Sequence, residues 1–159
     1  MDKCIFCKKY KHKKNIIYKD KFFYATLDDF PVAFGHTIVV PIKHTVSFFD
    51  LTEEEWKQLK LSISEVIKII EKVNFKNLCE NHFGSSSNQK SKKFYGRTLR
   101  NIKFNKKPDG YNIGLNEGKA AGRTVNHLHI HIIPRYFGDV SDSTGGIRHI
   151  IPGMGNYRK

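Results

Sequence analysis

The chain has 159 residues, 39% of them apolar and 13% aromatic, which fits one domain with a real core and excludes collagen, coiled coil and global disorder. No apolar run approaches the roughly 20 residues needed to cross a bilayer, and Met1 to Tyr10 lack the apolar stretch of a secretory signal, so a cytoplasmic protein without a membrane partner is expected. The formal charge of +13 favours phosphate-bearing partners over cationic ones, with a Lys-rich solvated surface as the plain alternative, and the three cysteines argue against a disulfide scaffold.

In chain order, residues 1–14 are basic and carry Cys4 and Cys7. Aromatic and β-branched content predicts strands over 21–28 and 36–41, with Pro31 and Gly35 punctuating the connection. Thr52, with Glu55 three residues on, forms a capping box and opens a helix over about 53–73. Trp56, Leu59, Ile63, Val66, Ile67, Ile70 and Val73 fall on one face of it and are read as core. From about 76 to 109 the periodicity fails: between 80 and 107 stand Lys90, Lys92, Lys93, Arg97, Arg100, Lys103, Lys106 and Lys107 against the single acid Glu80. This segment is read as an insertion, as a lid, or as a small hairpin around the FYGRTL stretch. It serves as a phosphate-attracting rim, a nucleic-acid contact or a solvated loop. Further strands are expected over 111–116 and 125–134, around the turn EGKAAGR, and then an irregular, Gly-containing arm over about 135–159. Short connections and one main helix give one domain over 1–159, in the α+β class, with a mostly antiparallel sheet of about five strands.

The stretch VNHLHIHIIP places His127, His129 and His131 at alternate positions. Residues i and i+2 of a strand lie about 6.7 Å apart on one face. The three imidazoles therefore share a face, with Leu128, Ile130 and Ile132 pointing into the core behind it. The span of about 13 Å is too long for all three to reach one ion through bonds of about 2 Å. Divided roles along a bound substrate are the better reading, since neutral imidazole is nucleophilic toward phosphorus and exchanges protons near neutral pH.

The run HLHIHII resembles the His-x-His-x-His-x-x signature of the histidine triad (HIT) family. FGHTIVVPIKH (34–44) resembles the family's Gly-His…Pro-x-x-His stretch, FDLTEEE the opening of its main helix, and YNIGLNEGKAAGRTVNH the approach to the triad. The likeness covers roughly 20–73 and 108–136. It implies a hydrolase acting at the α-phosphate of a nucleotide conjugate, such as a dinucleoside polyphosphate or a nucleoside phosphoramidate. By position, His129 is the implied nucleophile, forming a nucleotidyl-imidazole that water hydrolyses. His131 is implied to contact the phosphate or leaving-group oxygen, and His36 matches the family's other active-site histidine. Asn116 and Thr124 match phosphate-region donors, with plain turn chemistry as the alternative, and Asp28 matches the acceptor of the ribose hydroxyls. Histidine at 131 resembles the hydrolase branches rather than the nucleotidyltransferase branch. Arg123 departs from the glutamine usual there; it bridges phosphate oxygens, binds further phosphates or points to solvent.

Cys4-Ile-Phe-Cys7 sits too near the start for a thioredoxin-type site, and a local zinc knuckle would need His12 plus a fourth ligand. Some proteins of the resembled family bind zinc through such a pair, the histidine after Pro-x-x and the first triad histidine. This implies a structural zinc on Cys4, Cys7, His44 and His127, with two free thiols as the alternative. Cys79 has no partner in view. The arm 138–153 resembles that of a microbial subgroup and is expected near the site with Arg148 by the phosphate, while Arg135 is a surface charge. A homodimer is implied by the family. Two other functions compete: a basic domain removing adenylate from nucleic-acid ends, which would bind DNA in a salt-sensitive way, and a non-catalytic nucleotide-binding protein.

Overall fold

The computed structural model describes residues 4–86, 88–101 and 105–158. Part of the basic run, including Lys103, lies outside the described residues. The strands are β1 (Ile16–Lys19), β2 (Phe23–Leu27), β3 (Thr37–Pro41), β4 (Gly110–Gly114) and β5 (Ile130–Arg135). They form one sheet in the order β1-β2-β3-β5-β4, every neighbouring pair antiparallel. The helices are α1 (Ile5–Lys11), α2 (Glu53–Lys72), α3 (Phe75–Ser85) and α4 (Gln89–Arg100). The α+β class with a five-stranded antiparallel sheet stands as expected.

Strand alternation sorts the apolar residues onto two faces. Phe23, Ala25, Leu27, Val39, Leu128, Ile130 and Ile132 pack with Leu59, Val66 and Ile70 of α2 and with Phe75, Cys79 and Tyr95 of the next two helices. Burial of each of these aliphatic side chains stabilises by about 1.5–3 kcal/mol. Tyr24, Ile38 and Val40 face the other way and meet Phe6 of α1. Ile38 pairs with His131 across β3–β5, so the triad histidines share this second face, while Leu128, Ile130 and Ile132 enter the main core as expected.

The capping box is present: the Thr52 hydroxyl accepts from Glu55 N, and Glu55 Oε2 accepts from Thr52 N at 2.8 Å. Trp56 corrects the sequence reading. It is 51% exposed and stacks edge-on to Phe48, because one turn into α2 the helix rim no longer faces the sheet. Cys79 is buried in the core, and burial pushes its thiol up to about 12, so it is an inert apolar group there.

The largest correction is residues 76–109. Among the described residues most of this segment is helical and no hairpin forms; α3 and α4 are a helical pair packed on the main core. Ser91, Tyr95 and Thr98 are the buried residues of α4, spaced by four and three. FYGRTL lies inside that helix. Helix α1 lies in the basic segment 1–14 and strand β1 just after it, where the sequence predicted no element. The last strand begins at Ile130, so His127 and His129 precede the regular ladder.

Candidate functional site: two histidine clusters

Three local devices bring the histidines together. Gly35, at φ +75°, turns the chain into β3 and delivers His36; a Cβ there would press on Phe75 and Pro134 at 3.2 Å. The Leu128 N–H donates to Thr45 O and ties the approach to β5 to the segment after β3. Helix α1 lies across the second face, where Tyr24 Oη donates to Phe6 O at 2.8 Å. Cys4 and Cys7 are thereby carried to the sheet.

The first cluster joins Cys4, Cys7, His44 and His127, whose ligand atoms all lie within 4.8 Å of one another. Cys4 Sγ is 3.4 Å from His127 Nδ1, Cys7 Sγ is 3.3 Å from His44 Nδ1, and Cys7 Sγ is 3.6 Å from His127 Nδ1. A tetrahedral zinc with bonds of about 2.3 Å to sulfur and about 2.0 Å to nitrogen has sulfur–nitrogen edges of about 3.5 Å. His127 is fully buried, and its Nε2 donates to Pro41 O at 2.9 Å. That bond puts the proton on Nε2 and leaves the Nδ1 lone pair facing the sulfurs, the arrangement of an oriented metal ligand. Burial holds His127 down to about 4, so the ring stays neutral. Burial and the adjacent Cys4 push the Cys7 thiol up; a bound cation would be needed to hold it as a thiolate. The donor set fits zinc with no ligand position left open.

The second cluster joins Asp28, His36 and His131. It is built from similar groups and is wired differently. The Val32 N–H points at His36 Nδ1 from 3.3 Å. A backbone N–H only donates, so Nδ1 accepts and the proton sits on Nε2. His36 Nε2 then donates to His131 Nδ1 at 3.0 Å, which places the His131 proton on its outer Nε2. Asp28 Oδ2 stands 3.6 Å from His36 Nε2 and 3.5 Å from His131 Nδ1, close enough for charge and too far for a good hydrogen bond. Burial lowers His36 to about 4, the nearby Asp28 charge opposing, so the ring is neutral at pH 7. Burial would raise Asp28, but His131, the His36 charge and the Phe30 N–H outweigh it and hold the carboxyl at about 2. A metal ligand needs its inward nitrogen bare and the other ring N–H donated outward. His36 has the reverse, so this cluster is a hydrogen-bond relay.

His129 lies between the two. Its Nδ1 donates to His127 O at 2.8 Å, which frees the Nε2 lone pair. Burial lowers its pKa, and the charges of His131 and Arg123 add to that. The ring is 8% exposed, with Phe6 at 5.0 Å and His131 at 5.1 Å between centroids.

A cavity of about 480 Å³ opens beside this strand. His36, His131, Asn112 and Asn116 are its polar lining residues; Leu115, Ile133 and Ile147 are among its apolar walls. His129 borders the cavity through His131 and is not itself in the lining. The C-terminal arm reaches the cavity with Ile147, Ile150 and Ile151, so the expectation of an arm near the site holds. The structure does not bring every expected residue in. Arg148 donates to Met154 O and lies over Tyr157, within the arm itself. Arg123 donates to Val46 O and Glu117 Oε1 at 3.1 and 3.0 Å, so its guanidinium is neither in solvent nor in the cavity wall. Thr124 stands exposed in the turn. Arg135 is more than a surface charge: it grips Asp139 with two nitrogens and donates to Asn112. Val32 and Lys9 are residues the sequence reading missed. Val32 acts through its backbone N–H, which no side-chain pattern announces. Lys9, buried and paired with Asp29 at 2.8 Å, looked like one more surface cation.

Comparison with known proteins places these observations. The HIT domain family model matches residues 9–138. An uncharacterised HIT-like protein of Methanocaldococcus jannaschii is 32% identical over 138 residues, covering 86% of this chain and 81% of that protein. The bis(5'-adenosyl)-triphosphatase of Saccharomyces cerevisiae is 31% identical over 137 residues; the match covers 86% of this chain but 51% of the yeast enzyme. Among solved structures, a zinc-bound histidine triad family protein from Mycobacterium smegmatis is 29% identical with a TM-score of 0.55, covering 87% of this chain and 78% of that one.

Proposed function

The chain belongs to the histidine triad (HIT domain) family, and we propose that it is a nucleotide hydrolase that cleaves at the α-phosphate of a nucleotide conjugate through a covalent intermediate on His129. The observation that carries this reading is the tautomer of His129. With Nδ1–H donated to His127 O, Nε2 offers a lone pair on a neutral ring. Attack by a neutral imidazole on a phosphate ester avoids anion–anion repulsion.

In the proposed reaction His129 Nε2 forms a bond to the α-phosphorus as the bond to the leaving atom breaks, an oxygen in a dinucleoside polyphosphate or the nitrogen of a phosphoramidate. His131 steadies the leaving atom with the hydrogen bond that its Nε2–H donates, His36 Nε2–H fixes the His131 ring through Nδ1, and the leaving group takes its proton from solvent. Water then cleaves the nitrogen–phosphorus bond, its proton passes to solvent, and a nucleoside monophosphate leaves. Asp28 is assigned to the ribose hydroxyls and Asn116 to phosphate oxygens. Arg123, held by Glu117, keeps a positive charge near His129 that disfavours its protonation. The substrate class is a dinucleoside polyphosphate or a nucleoside phosphoramidate; the yeast relative's name and the positive charge of this chain support the former. A structural zinc on Cys4, Cys7, His44 and His127 would supply a cross-link from α1 to the sheet and take no part in the chemistry. A homodimer is proposed as well, and light scattering at micromolar concentration checks it.

The test is a brief incubation with a panel of nucleotide conjugates, followed by intact-protein mass measurement. A nucleotidyl adduct on the wild-type chain that is absent from His129→Ala supports the reading. Turnover by His129→Ala at the wild-type rate would end it. One feature favours a second reading, action on adenylated nucleic-acid ends: Lys90, Lys93, Arg97 and Arg100 form an exposed stripe along α4. Salt-sensitive binding of single-stranded DNA, with release of adenylate from its end, would favour that reading.

A further inference from the structure

Asp28 opens the loop that joins β2 to β3, residues 28–36. The carbonyls of Asp28, Asp29 and Pro31 leave the sheet here and need other partners. Helix α4 supplies all three. Tyr95 Oη donates to Asp28 O at 2.7 Å, Ser91 Oγ to Asp29 O at 2.6 Å, and Thr98 Oγ1 reaches Pro31 O at 3.2 Å, its proton shared with Phe94 O at 3.1 Å. The three donors are buried, stand on one face of the helix and belong to the basic insertion. The rings of Phe30 and Phe94 meet edge-on at 5.6 Å and add an apolar contact along the same seam. On the other side of the loop, Lys9 of α1 pairs with Asp29. Within the loop, the Phe30 N–H holds Asp28 Oδ1 at 2.7 Å, which fixes the second carboxylate oxygen toward His36 and His131.

We infer that α4 is a positioning element of the site: the Ser91, Tyr95 and Thr98 hydroxyls lock the 28–31 backbone so that the Asp28 carboxylate is aimed at a ribose. The inference rests on the assignment of Asp28 to the ribose hydroxyls. It gives the inserted helix a role in selecting nucleotides that carry ribose hydroxyls. These three residues touch no substrate atom; they act through Asp28.

The test compares binding of AMP and of 2′,3′-dideoxy-AMP by calorimetry, in the wild type, Asp28→Asn, Tyr95→Phe, Ser91→Ala, Thr98→Val and Thr98→Ser. The wild type is expected to prefer AMP, and Asp28→Asn to lose that preference. Tyr95→Phe, Ser91→Ala and Thr98→Val each weaken AMP binding about 3- to 10-fold, the scale of one aimed hydrogen bond, and leave dideoxy-AMP binding unchanged. Thr98→Ser, which keeps the hydroxyl, restores the preference. Any two of the three hydroxyl variants in this pattern suffice if the third fails to fold. Equal weakening of both ligands in these variants, with the wild type discriminating and Asp28→Asn not, overturns the positioning role and spares the ribose assignment. No preference in the wild type, or none lost in Asp28→Asn, overturns the assignment itself and the inference with it.

Discussion

Two clusters of similar side chains sit on one face of one sheet and are prepared for different tasks. Around His127, the outer ring nitrogen donates to a carbonyl and the inner one offers its lone pair to two sulfurs. Around His36, a backbone N–H takes the first nitrogen and the second carries a proton toward His131. Residue type does not separate a metal site from a proton relay; the polarity of the outer hydrogen bond does. His129 stands between them with its inner nitrogen tied to the His127 carbonyl, so the buried cluster also orients the proposed nucleophile.

The difference is open to experiment. The largest effect is expected at the ring between the clusters: His129→Ala should lose turnover by at least about a thousand-fold, as loss of a covalent nucleophile does, while zinc content stays the same. Next come the cluster ligands. Cys4→Ser or Cys7→Ser should abolish bound zinc, measured by elemental analysis, and lower the melting temperature by about 10 °C, the scale of a lost structural metal in a small domain. Unchanged melting would remove the structural role. His36→Ala should slow turnover about 100-fold through loss of the relay and leave zinc in place, the opposite signature to the cysteine variants.

Acid probes the same contrast more gently. His36 has a folded-state pKa of about 4 against an ordinary 6.5, so the unfolded chain takes up its proton first. The stability that neutral His36 contributes is complete above about pH 6.5 and is lost as the pH falls toward 4. Thermal denaturation over this range should therefore drop less steeply in His36→Ala than in the wild type. The smallest expected effect is none: zinc titration of the wild type should show one tight equivalent. A second tight equivalent, lost in Asp28→Asn, would break the distinction between the clusters.

Much of this was legible in the chain. The strands over 21–28 and 36–41 fall within a residue or two of their observed limits, and the Thr52–Glu55 box starts α2 where it should. Alternation around Leu128, Ile130 and Ile132 put the histidines on the face away from the core. Helix α4 was hidden for a physical reason. Its buried face is Ser91, Tyr95 and Thr98, hydroxyls that satisfy carbonyls, so the segment shows no aliphatic period although it is helical. Trp56 misled in the other direction, since an apolar period marks the buried side of a helix and the first turn of α2 overhangs it. Arg123 was open between phosphate and solvent in the sequence, and in the fold it pairs with Glu117.

By itself the sequence determined which histidines and cysteines to look at, because a strand's alternation and the short Gly-His and Cys-x-x-Cys spacings are local. What each histidine does was decided only in the fold. Cys4 meets His127 from 123 residues away, and the Pro41 carbonyl that sets its tautomer is 86 residues away. A neutral imidazole has one proton and two nitrogens, and which nitrogen keeps it depends on partners that only the assembled sheet, with α1 on one face and α4 on the other, brings within reach.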